Sequence, residues 1–131
     1  MKYIRSMVGV VIGYAVFAIS AVVLFRLSGR DPHAPQDSLF ILAASTYGIA
    51  FAALGGAVAG LIPGRRSLVH SACVAAFIAL GALGSLIASP DRAAIWSQLS
   101  ALLLMAPGAL FGGVLVSRLR RREPRPKSGI D

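Results

Sequence analysis

The sequence predicts an all-α integral membrane protein, four transmembrane helices in an up-down-up-down bundle. Three observations predict it. Residues 7–27, 39–62, 68–88 and 94–117 form apolar runs of 21 residues or more whose central stretches hold no Asp, Glu, Lys or Arg. A run of that length crosses a hydrocarbon layer of about 30 Å as a helix. Only 14% of the 131 residues are charged and the mean hydropathy is +0.76, whereas a soluble domain carries about 25% charged residues. The basic residues gather at the ends of the apolar runs, where membrane topology uses them.

The first span opens after Lys2 and Arg5 and runs to about Leu27. Ala18-Ile19-Ser20 resembles a signal-cleavage site, but the apolar run continues beyond it, so the segment is expected to be retained. Gly29, Pro32 and Pro35 then stop helix propagation, and Asp37 or Ser38 can cap the second span. Pro63-Gly64 ends that span and Arg65 and Arg66 anchor it. The third span holds Cys73, expected to be a small buried hydrophobe. Ser89-Pro90-Asp91 makes a turn into the fourth span, where Pro107 predicts a kink. Residues 1–119 read as one membrane domain and 120–131 as a basic, disordered tail, with Arg118, Arg120, Arg121 and Arg122 at the boundary.

With both termini and the middle connection on one side, that side holds ten Lys/Arg and two acids, and the other holds three Arg and three Asp. The positive-inside rule makes the first side cytoplasmic, in a bacterial inner membrane. The excess of basic residues is thus a topology signal, with anionic lipid headgroups as the tail's partner and no specific nucleic acid.

The halves look related. Arg5-Ser6-Met7-Val8 matches Arg66-Ser67-Leu68-Val69, and Leu54-Gly55-Gly56-Ala57-Val58 matches Phe111-Gly112-Gly113-Val114-Leu115, 57 residues on. Two tandem hairpins in parallel orientation would give this pattern. In the second span Gly48, Ala52, Gly56, Gly60 and Gly64 recur every four residues, and the fourth has Gly108, Gly112 and Gly113. Such faces let helix backbones approach closely, either inside the bundle or against another membrane protein or a second copy.

Ionisable groups near the middle of a span mark proton and ion pathways, and none of the four runs has one. Ser45, Tyr47 and Gln98 could form a shallow polar mouth on the outer side, with Trp96 as an interface anchor. His70 is placed at the cytoplasmic end, against headgroups or capping nearby backbone, and His33 in the outer loop, so one metal cannot bind both. No metal-binding, nucleotide-binding or hydrolytic motif stands out. No catalytic residue, metal or cofactor is expected, and the chain is not read as an enzyme.

In size and span number the chain resembles the small multidrug exporters, four-span proteins that work as dimers. Their essential glutamate lies in the first span. Here residues 7–27 hold no acid, the first being Asp31, so drug–proton exchange by that route is not expected. The expectation is a non-catalytic accessory, assembly or scaffold subunit packing through its glycine-striped helix. The alternatives are a small carrier or channel for a neutral or lipid-like solute, and a membrane-anchored module acting through its basic tail.

Overall fold

Each apolar run becomes a helix long enough to cross a membrane. A computed structural model describes residues 1–63, 66–88 and 95–122. Gly64, Arg65, residues 89–94, where the sequence predicts a turn, and the residues beyond Arg122 lie outside the described residues. The helices are α1 (Lys2–Ser28), α2 (Ser38–Leu61), α3 (Ser67–Ala88), α4 (Trp96–Ser100) and α5 (Ala106–Arg122), with a π-helical turn, Ala101–Met105, joining α4 to α5 into one fourth span. There is no β-sheet among the described residues.

The helix ends follow local chemistry. Gly29 stops α1 with φ 64°, the left-handed conformation that closes a helix without a Cβ clash. Asp37 caps α2 by accepting from the Phe40 amide at 3.1 Å. Its carboxylate is also paired with Arg30. The Arg30 hydrogen bond first, then the Phe40 amide, hold this carboxyl below the ordinary aspartate value. At the other end of α2, Arg120 donates to the Leu61 carbonyl at 2.7 Å, satisfying one of the acceptors a helix C-terminus leaves over.

The break in the fourth span takes a specific form. Pro107 has no N–H to give, and its ring crowds the carbonyl one turn back. The turn before it is wound wide, with the Ala106 amide bonding to Ala101, five residues back instead of four. The irregularity beside Pro107 is this π turn.

Contacts fix the directions of the spans. Gly13 meets Gly55 and Gly9 meets Ala59, so α1 and α2 are antiparallel. Ser71 meets Gly113 while Ser85 meets Gln98, so α3 and the fourth span are antiparallel too. Ser45 bonds Ser100, and Ala53 meets Gly112, so α2 and the fourth span run the same way. The direction therefore alternates along the chain. α2 and α3 pack on each other and each also packs on α1 and α5, while no Cα of α1 lies within 8 Å of one in α5. The bundle is a rhombus with α2 and α3 across its short diagonal.

The core is made of small side chains. Ala52, Ala59 and Ala109 have no exposed surface, nor does Val74. Lipid tails are as apolar as leucine, so burial gives little drive for helices to associate. Close backbone packing has to supply it.

Candidate functional site

The described glycines of the α2 stripe, Gly48, Gly56 and Gly60, are occupied within the chain. A Cβ on Gly56 would run into the Ala109 carbonyl, and one on Gly112 into the Ala53 carbonyl. These two contacts are reciprocal: Ala53-Leu54-Gly55-Gly56 faces Ala109-Leu110-Phe111-Gly112, the same Ala-Leu-x-Gly pattern on two parallel helices. The structure pairs the halves 56 residues apart here, one residue off the register that the Gly-Gly match suggests. Gly55 and Gly13 are likewise fitted to each other's carbonyls. Gly60 lies against Ser67, Gly108 against Ile49, and Gly113 against Ser71. Ser71, fully buried, sets its hydroxyl 2.7 Å from the Gly56 carbonyl and 2.9 Å from that of Ser67.

α3 behaves differently. Gly84 has nothing within 4 Å of where a Cβ would stand, and Gly81 has only the Tyr14 hydroxyl at 3.8 Å. Cys73 lies on this helix and is exposed, against the expectation of burial. It lines an open groove with Met7, Val10, Val69, His70 and Phe77. When both faces of a helix are apolar, hydropathy does not tell the lipid side from the interior. His70 is buried, with Nδ1 2.9 Å from the Arg66 carbonyl, backbone capping being one of the two roles expected of it.

At the opposite end from the termini, Ser45, Tyr47 and Gln98 each bond to a different partner, and the polar groups are closed on one another. Ser45 and Ser100 bond each other at 3.1 Å. Gln98 is buried and its amide lies 2.9 Å from His33 Nδ1 and 3.2 Å from the Ser85 hydroxyl. Ser97 donates to the Pro32 carbonyl at 2.8 Å or to the Gln98 carbonyl oxygen at 2.9 Å, and Trp96 donates to the Ala34 carbonyl at 3.1 Å. Three consecutive residues, Trp96, Ser97 and Gln98, thus clamp the connection between α1 and α2. Among the described residues no buried side-chain polar atom lacks a partner. His33 was not expected to join this cluster: it stands 65 positions from Gln98 and in a different connection.

The indole of Trp96 also joins Phe25 and Phe40 in an aromatic cluster, with centroids 6.2–6.4 Å apart, and Arg30 sits 4.4 Å over the Phe40 ring. Beneath it lies a cavity of about 140 Å³ between α1, α2 and the start of the fourth span. Its walls include Phe17, Ser20, Phe25, Ala44, Tyr47, Gly48, Trp96, Ala101 and Met105. Tyr47 donates to the Ser20 carbonyl at 3.2 Å, so of the three expected mouth residues it is the one on this wall. At about 24 cal/mol per Å³ of void, such a cavity left empty costs about 3 kcal/mol.

Among the described residues no three His, Cys, Asp or Glu side chains gather closely enough to hold a metal. No family model, curated protein or solved structure matches the chain.

Proposed function

We propose that this chain is a non-catalytic accessory or assembly subunit of a membrane complex, set in the bacterial inner membrane with both termini cytoplasmic. The observation that carries the reading is the open glycine face of α3. A glycine inside a helix costs about 1 kcal/mol relative to alanine. In the other spans close packing offsets that cost, since every described glycine outside α3 has a neighbour within 3.4 Å of its missing Cβ, Gly29 at the end of α1 aside. At Gly84 nothing in the chain does so. A transmembrane helix of another protein, seated along Gly81 and Gly84, would supply the missing contact. The basic residues near Arg118 and Arg121 suit anionic headgroups on the cytoplasmic side.

The test is affinity purification in a gentle detergent, read by native mass spectrometry. Wild type is expected to carry a stoichiometric foreign membrane subunit, and Gly84→Leu to lose it while staying folded. Wild type that is monomeric or homodimeric, with no foreign subunit, sinks the proposal. A second reading, a carrier for a neutral or lipid-like solute, is favoured by one observation, the cavity beside the π turn.

A further inference from the structure

The cavity under Trp96 carries an inference that does not depend on a docked partner. Its wall hydroxyls have their protons already committed. Ser20 donates to the Phe17 carbonyl at 2.7 Å, Tyr47 to the Ser20 carbonyl at 3.2 Å, and Ser97 to the oxygens of Pro32 or Gln98. The indole N–H of Trp96 is held by Ala34. A water molecule needs two to four polar partners to stay in a cavity, and apolar cavities of about 150 Å³ remain dry and admit benzene or xenon. This one measures about 140 Å³ and is walled by aromatic rings and by the small side chains of Ala44 and Ala101.

Protein interiors are ordinarily close-packed. Here the space is kept open by residue choice and by backbone. Gly48 and Ala44 present almost no side chain, and the π turn sets where Ala101 and Met105 stand. The surrounding bilayer concentrates apolar solutes beside it. We propose that this cavity is a binding site for a small, uncharged, ring-sized hydrocarbon group that makes no hydrogen bonds. Such a group belongs either to a free apolar solute or to the end of a lipid chain.

The experiment places the full chain, with alanine methyls labelled, in lipid nanodiscs and adds fluorobenzene. Nuclear Overhauser contacts are read at Ala44 and Ala101, with the exposed Ala76 of α3 as the lipid-side control. Fluorobenzene contacts are expected at Ala44 and Ala101 beyond those at Ala76. In Ala44→Leu, which fills the space, the contact at Ala101 is expected to vanish. Should that variant fail to fold, Ala21→Leu fills the same space from α1. Discs with protonated and deuterated lipid chains separate the sources. Contacts from chain-end methyls to Ala44 without probe assign the site to a lipid chain, and probe contacts alone assign it to a free solute. The inference is overturned if neither reaches Ala44 and Ala101, if water contacts appear there, or if contacts persist in the filled variants.

Discussion

The middle of the bundle and the end bearing the α1–α2 connection are built on different principles. At Gly56 and Gly112 the nearest atoms across the α2–α5 contact are backbone carbonyls. Two turns back toward the start of α2, Gly48 faces the side chain of Met105, and beyond it Ser45 meets Ser100 through hydroxyls. The spans touch backbone to backbone at one crossing and part from it. Side chains, a polar clamp and a cavity fill the widening space. Glycine therefore sets the spacing of the spans, and that spacing makes room for a site.

The largest effect should come from breaking the crossing. Gly56→Leu forces α2 and α5 apart against rigid backbone, and the loss of stability should exceed about 3 kcal/mol, the upper range for overpacking. Unfolding in detergent, followed by proteolysis or circular dichroism, measures it. At the other end, Gln98→Leu strips the hydrogen-bond partners from His33 and Ser85, and should cost about 1–3 kcal/mol. The same assay should show the connection at 29–37 becoming protease-sensitive before the spans unfold. Gly84→Leu sharpens the contrast, since it meets no neighbour in the chain. The isolated protein should keep its stability or gain up to about 1 kcal/mol, because leucine removes the helix cost of glycine.

The smallest effect belongs to the Asp37 cap, which lies at the surface. Its carboxyl is held below the ordinary aspartate value by Arg30 and the Phe40 amide. The stabilisation it gives is therefore complete above that ordinary value and is lost as pH falls through the lowered one. The protection factor of the Phe40 amide, its exchange divided by the intrinsic rate at each pH, should fall over that acidic interval and stay flat above it. Asp37→Asn, which keeps a capping oxygen but not the charge, should remove the pH dependence.

Hydropathy made the four spans legible because crossing a bilayer fixes length and excludes charge. The caps at Asp37 and Gly29 were legible from local chemistry. Which spans are neighbours was not, because all four carry small residues and any pair could have matched. The exposure of Cys73 was hidden for the related reason that in lipid both faces of α3 are apolar. Pro107 flagged the break in the fourth span, but nothing in the residues distinguished a bend from a π turn. His33 joins Gln98 only through the fold of the α1–α2 connection, whose residues signal a helix stop and no partner. The recurrence of Ala-Leu-x-Gly at Ala53 and Ala109 was visible in the sequence, though the Gly-Gly match drew the register one residue away.

The π turn gives the fourth span a spare link. An α-helix advances about 100° per residue, so removing one residue from α2 would rotate half its glycines off their partners. Removing one residue between Ala101 and Met105 should instead let the widened turn relax to ordinary pitch. Trp96 and Gln98 on one flank and Gly108 and Gly112 on the other would keep their bearings. The chain can thus change length at this one place without unthreading its bundle, and the wall of the cavity is what such a change would redraw.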